Sequence, residues 1–470
     1  MNPFLACESA WESFFKTYVS YISKRGWSGI TMTIDSGWTK ILKEGVPHAF
    51  TSTLGVKPLT VFIDGQINLM KADYIKTWKM FLEIQFLRKI DNAFAQGARV
   101  VVLAFDNYKH VPTAKAMTQL QRCRHIPAMN FSEQDELPPV LPENWAGAMR
   151  NRTFKTKVAA FVTQNLCIKY RDEVHRTLVV DFQDEVQVLG APYTLPPVLQ
   201  SPCGIRRGEC DIKAFAYIST EGPLLIESTD GDFIPLALLQ IQKEFASSGK
   251  QASVILHRMY TNTELISLPK KRGIQEKSRS ADTQSFQNTQ NKGRQYEYVN
   301  IAPILTWLCQ ELAFMPRPIS AFAALVATSG CDFCMNLPNL GPKTIWKNRH
   351  TMAALNLEQP QDLMLAITRM YHNQYKNKVP YSVLTVTPQS PFEDIVSAYD
   401  KLCAKIKGNT KIAVRIRDNI WHTQRMRAHV GNTLWTLMYW DTTHNFLDPL
   451  QPGYGYTTQN GRVVFEGAQI

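Results

Sequence analysis

Nowhere in the chain do about 18 apolar residues run together, the length a helix needs to cross a bilayer, so no membrane partner is expected. Cysteine is sparse and odd in number: nine residues, at positions 7, 123, 167, 203, 210, 309, 331, 334 and 403. That scatter does not make a secreted disulfide framework and fits a reducing, intracellular compartment. Cys331 and Cys334 have Cys-x-x-Cys spacing, but neither a second pair nor a nearby His completes a zinc site. Residues 1–36 lack a cleavable apolar core. They also lack the acid-poor bias of a transit peptide, because Glu8, Glu12 and Asp35 interrupt them. They are expected to be an N-terminal extension, with Trp11, Phe14, Phe15, Tyr18 and Ile22 on one packing face of a helix. Acidic residues are outnumbered, 40 against 52 Lys and Arg, giving a net charge of +12 and a pI near 9.2. Such a surplus suits a polyanionic partner and equally suits a merely basic soluble protein.

What the chain does hold is acid at chosen places. Three apolar runs read as buried parallel strands and end in carboxylates: Thr60-Val61-Phe62-Ile63 into Asp64, Arg99 to Phe105 into Asp106, and Pro223 to Thr229 into Asp230. In an open α/β sheet the ligand crevice lies outside the carboxyl ends of the strands, so these acids should converge there. A lone strand-end Asp also serves as a helix cap or turn residue. Glu209 with Asp211, and Asp230 with Asp232, would each crowd two carboxylates into one small volume. Like charges at that range repel unless cations neutralise them. An all-oxygen donor set favours Mg²⁺ or Mn²⁺ over zinc, and the expectation is a site for two Mg²⁺ ions, with Mn²⁺ able to substitute.

Organisation along the chain follows α/β alternation. A long amphipathic helical stretch over 71–96 joins the first two acidic strands. Residues 107–150 turn basic and Pro-rich, an excursion from the sheet; helical and strand character resumes over 153–190. Helices are expected over 210–219 and 233–245. The polar run 269–298 reads as a disordered insertion; within it Lys270-Lys271-Arg272 fits a nuclear import signal, so a nuclear location is expected. From 299 to 379 the pattern is mainly helical, and 380–470 is mixed, its role open. Arg415, Arg417, Arg425 and Arg427 interleave there with Trp421, Trp435 and Trp440, residues that could grip nucleic acid but at such spacing more often form core.

A Gly turn at Asn339-Leu340-Gly341-Pro342-Lys343-Thr344 precedes Lys347 and Arg349. A glycine turn opening a helix can offer backbone N–H groups to a phosphate, and it can equally be an ordinary helix-turn-helix. It is not a Walker A loop, since Pro342 stands where that loop needs Lys.

Taken in order, these segments resemble the flap endonuclease and XPG family of structure-specific 5′ nucleases, over residues 37 to about 350. Gly37-Trp38-Thr39-Lys40-Ile41-Leu42 resembles the family's Gly-containing opening, and the strands ending at Asp64 and Asp106 its first two acidic strands. Leu189-Gly190-Ala191-Pro192-Tyr193 precedes Glu209 and Asp211, which are similar to its Glu-x-Glu/Asp pair; Asp230-Gly231-Asp232 matches its Asp-x-Asp. Gly330-Cys331-Asp332-Phe333, followed by Leu337 to Lys343, is similar to its last ligand and helix-two-turn-helix. The resemblance implies a PIN-like, resolvase-like nuclease core at 37–268, a mostly parallel sheet flanked by helices, with a helical arch at about 107–150. The core would close through 299–379.

The resemblance further implies one ion at Asp64, Asp106, Glu209 and Asp211, and another at Asp230, Asp232 and Asp332. Lys115 and Arg122, two helical turns apart, would reach the scissile phosphate or else form a solvated helix face. Gly341, Lys343, Lys347 and Arg349 would hold duplex DNA, with a monovalent cation in the turn. The implied activity is metal-dependent hydrolysis of DNA at 5′ flaps or junctions. A branch of the same fold cuts messenger RNA in viral host shutoff, and a catalytically silent nucleic-acid scaffold is a further alternative. Met70 stands where the family carries a base-stacking aromatic, and the tail shows no convincing sliding-clamp motif.

Overall fold

The computed structural model describes residues 37–70, 72, 75–108, 127–196, 199, 208–228, 230–261, 294–331, 333–334, 336–379, 385–441, 456–459 and 462–465. The extension 1–36, Lys115, Arg122, Lys270-Lys271-Arg272 and Asp332 lie outside the described residues, as do the first half of the expected arch and most of the expected insertion. Among the described residues no helix is long and apolar enough to cross a membrane.

An α/β core is built on eight strands: β1 (Phe50–Thr51), β2 (Thr60–Asp64), β3 (Val100–Ala104), β4 (Thr177–Phe182), β5 (Glu185–Gly190), β6 (Leu224–Glu227), β7 (Val254–Thr261) and β8 (Arg294–Asn300). They lie side by side in the order β1-β8-β7-β6-β2-β3-β4-β5. The five central strands, β7 to β4, are parallel; β5 closes one edge antiparallel to β4, and on the other side β8 pairs antiparallel with β7 and β1 antiparallel with β8. A separate antiparallel pair, β9 (Tyr456–Gln459) with β10 (Arg462–Phe465), lies near the C-terminus of the sequence.

The central strands read as continuous apolar runs because helices cover both faces of the sheet. Alternation sends Val61, Ile63, Val101, Leu103 and Leu225 into one core, and Phe62, Val100, Val102, Leu224 and Ile226 into the other.

The helices are α1 (Trp38–Gly45), α2 (Gly65–Leu69), α3 (Trp78–Leu82), α4 (Arg88–Ala95), α5 (Trp145–Ala148), α6 (Arg152–Tyr170), α7 (Cys210–Lys213), α8 (Phe233–Ser248), α9 (Ile301–Glu311), α10 (Pro318–Ser329), α11 (Pro342–Lys347), α12 (Pro360–Tyr375), α13 (Phe392–Gly408), α14 (Val414–Asn419) and α15 (Thr423–Asp441). α3 to α6 cover the first face; α1, α8 to α10, α12, α13 and α15 build the second.

Local chemistry explains several boundaries. The stretch expected as one helix over 71–96 begins at Trp78, where the Thr77 hydroxyl accepts from the Met80 N–H. A π turn at Glu83–Leu87 interrupts it and buries Phe86 and Leu87 side by side. The described part of the expected arch, 127–150, carries one short helix and otherwise lies against the core through Phe131, Leu141 and Trp145. Trp78 and Trp145 tie it down, donating to the carbonyls of Pro138 and Leu69.

The expected disordered insertion ends earlier than 298. Arg294–Asn300 form β8 because Glu297 and Val299 are buried while Tyr296 and Asn300 face outward, the alternation of a half-covered strand. The tail region also gains a role. α15 is buried along most of its length against α8, α10 and α12, with Trp435 and Trp440 in the core. Arg425 stacks on Trp421 at 4.5 Å and Arg427 pairs with Glu393.

Candidate functional site

The parallel strands run outward from β2 to β3 and β4; the chain then returns to β6 on the other side of β2 and continues to β7. The order therefore reverses between β2 and β6, and the crevice of a doubly wound sheet opens at that point, outside the strands' carboxyl ends. Asp64 ends β2, Asp106 follows β3, and Ser228 to Asp232 follow β6. Among the described residues, all three acidic strand ends lie at the carboxyl edge of the sheet beside this switch point.

Asp64 is 5 % exposed. Its Oδ1 accepts from the Ile67 N–H at 3.1 Å, capping α2, and its Oδ2 accepts from the Ser228 hydroxyl at 3.0 Å. Burial, then the charge of Asp106 and more weakly that of Asp211, push its carboxyl from an ordinary 3.8 up to about 6, against the pull of those two hydrogen bonds. The cap and the cluster are thus compatible roles for one carboxylate. Gly65 permits the crowding. A Cβ there would stand 2.5 Å from the Ala104 carbonyl and 2.7 Å from the Phe105 ring, so only glycine lets α2 leave β2 this close to β3.

Asp106 accepts from the Cys210 N–H at 3.0 Å, which joins the β3 end to the Glu209–Asp211 segment. The Cys210 thiol, donating to the Ala104 carbonyl at 3.2 Å, is raised well above its ordinary range by burial and by Asp64 and Asp106. Asp211 is 7 % exposed and Glu209 fully buried; Glu209 Oε2 accepts from the Tyr439 hydroxyl at 3.2 Å. On the other side Asp230 Oδ1 accepts from the Asp232 N–H at 3.0 Å, and the Asp230 N–H donates to Ser228 Oγ at 3.2 Å. Ser228 therefore links Asp64 to the Asp230–Asp232 pair.

In the loop after α10, the Cys331 thiol is raised by burial, by Cys334 and by the charge of Asp232. The loop turns on Gly330, whose φ of +112° and contact with Asn336, 1.5 Å from a would-be Cβ, exclude any side chain.

Among the described residues no three His, Cys, Asp or Glu side chains stand together as a ready-made ion cage. The crevice carboxylates are turned onto donors of the chain itself. Their chemistry fits a hard cation: every donor is oxygen, and the repulsion that raises Asp64 is of the kind a cation relieves.

Three further participants are not among the expected site residues. Lys213 and Asp181, 4 % and 2 % exposed at the side chain, form a buried ion pair of 2.7 Å beside the crevice, and Lys213 also donates to the Phe105 carbonyl at 2.8 Å. Asp181 lies in β4 after Thr177-Leu178-Val179-Val180, the same apolar-run signal that marked Asp64 and Asp106. Tyr439 comes from 230 residues away, and no local pattern announces it.

At the glycine turn, Gly341 caps α11 and is exposed, with nothing within 4 Å of a would-be Cβ. Lys343 and Lys347 are exposed one turn apart. Arg349 is held by the chain: it pairs with Glu311 at 2.7 Å and stacks on Trp346 at 4.6 Å. The turn is anchored from α12, where the Tyr371 hydroxyl donates to the Pro338 carbonyl and Gln374 to that of Asn339. Met70 is exposed beside α2. No family model matches the chain, and no curated protein matches it.

Proposed function

We propose that this chain is a metal-dependent nuclease hydrolysing DNA phosphodiesters at 5′ flaps or junctions. The observation that supports the reading is geometric: at the sheet's switch point the Cys210 N–H binds Asp106, and Ser228 binds both Asp64 and the Asp230 N–H, which joins the three acidic strand ends. The net charge of +12 over the whole chain, its site acids included, supports a polyanionic substrate.

In this reading Asp64, Asp106, Glu209 and Asp211 would hold one Mg²⁺ and Asp230, Asp232 and Asp332 a second, with Mn²⁺ as substitute. When bound, the ions supply an activated water and neutralise the leaving oxygen. Lys115 and Arg122 would meet the scissile phosphate. Exposed Lys343 and Lys347, beside the Gly341 turn, would hold the duplex backbone by charge, which positions without reading sequence.

Cleavage of a 5′-flap DNA with Mg²⁺, and none in EDTA, is the expected result. Asp232→Ala should abolish cutting while DNA binding, followed by fluorescence anisotropy, is retained. Undiminished cutting by that variant overturns the assignment, and cleavage of capped RNA but not of flap DNA transfers it to an RNA substrate.

A further inference from the structure

α15 is locked in rotation by polar contacts on either side of one tyrosine. Gln240 Nε2 of α8 donates to the Trp440 carbonyl at 2.8 Å, and Cys334 lies 3.2 Å from the Thr436 hydroxyl. Between them the Tyr439 ring stacks on Trp435, with centroids 5.0 Å apart and planes at 12°, and meets Phe333 at 5.2 Å. A ring confined this way has little freedom to swing. Its hydroxyl points at Glu209, a carboxylate with no exposed surface, and donates to Oε2. A buried carboxylate is stable only when donors or cations replace its water, and the direction of those donors fixes its orientation.

We infer that Tyr439 is a positioning residue for the metal site: its hydroxyl fixes the rotamer of Glu209, the residue next to the Cys210 N–H that binds Asp106. The inference rests on the metal-dependent reading above and deepens it. α15, which lies beyond the residues that resemble a known family, thereby serves the acidic site directly. The same helix face also holds Cys334 through Thr436 and Phe333 through Trp435. Partners that orient a metal ligand in this way typically change metal affinity or activity by about 10- to 100-fold when removed.

The test is Mn²⁺ binding to the full chain by titration calorimetry, a readout independent of cleavage. Tyr439→Phe, which removes one oxygen, should weaken binding by about 10-fold or more. Tyr399→Phe, which removes another buried hydroxyl, one that donates to the Trp421 carbonyl, should leave binding unchanged. In a Glu209→Gln background, Tyr439→Phe should add no further loss, since the two act as a unit. Wild-type affinity in Tyr439→Phe overturns the inference and leaves the metal reading standing; a wild-type chain that binds no Mn²⁺ overturns both. Should the Phe variant not fold, 3-fluorotyrosine placed at 439 keeps the hydroxyl. Its ¹⁹F resonance should then shift through a Mg²⁺ titration, and an unmoved resonance overturns the inference.

Discussion

Two buried charge groups in this molecule are built on opposite plans. At the sheet edge, Glu297 of β8 lies between Lys43 at 2.7 Å and Arg258 at 3.2 Å, and Asp181 is matched in the same way by Lys213. At the switch point, the charges acting most on Asp64 are two more carboxylates. Buried charge that serves architecture is neutralised within the chain, because an uncompensated ion in a low-dielectric interior is costly. Around Asp64 the carboxylates are held instead by backbone and hydroxyl donors, and like charge raises rather than lowers its affinity for a proton.

The largest expected effect breaks the matched group. Lys213→Met should cost roughly 3–5 kcal/mol in urea denaturation, because Asp181 is left charged and buried. Replacing both, Lys213→Met with Asp181→Leu, should recover much of that loss.

The like-charged group should respond in the opposite sense. With Asp64 near 6 in the fold and 3.8 as its ordinary value, the folded chain binds the extra proton between about pH 4 and 6. Stability from this group falls as pH rises through that window, and the penalty is complete above it. Asp64→Asn should therefore be more stable than wild type above pH 6 in EDTA, by roughly 3 kcal/mol, with the advantage vanishing towards pH 4. An advantage independent of pH would break the comparison.

The smallest effect on the fold belongs to the exposed lysines. Lys343→Ala and Lys347→Ala should each shift stability by less than about 0.5 kcal/mol while lowering the salt slope of DNA binding by roughly 1. An unchanged slope would remove the turn from the proposed interface.

The parallel sheet was readable because β2 and β3 are unbroken apolar runs, a pattern that only a strand covered on both faces sustains, and α8 because its apolar face follows a strand-end acid pair. β8 escaped notice because its residues alternate polar and apolar at the end of a polar stretch, with a partner, β7, lying before that stretch. Within the site, Asp64, Asp106 and Asp211 were legible from strand ends and close spacing. Asp181 carried the same mark, but its pairing with Lys213 depends on how β4 and α7 meet in space. Ser228 and Tyr439 became visible only with the fold, since their roles rest on contacts 164 and 230 residues apart.

The placement of α15 also bears on the order in which the protein is made. A ribosome adding about 5–20 residues per second reaches Tyr439 roughly 10 to 40 s after Asp232. During that interval a nascent chain already holds the acids of all three strand ends, while the helix whose hydroxyl meets Glu209 has yet to be synthesised. The Tyr439–Glu209 hydrogen bond can therefore form only after synthesis has passed residue 439.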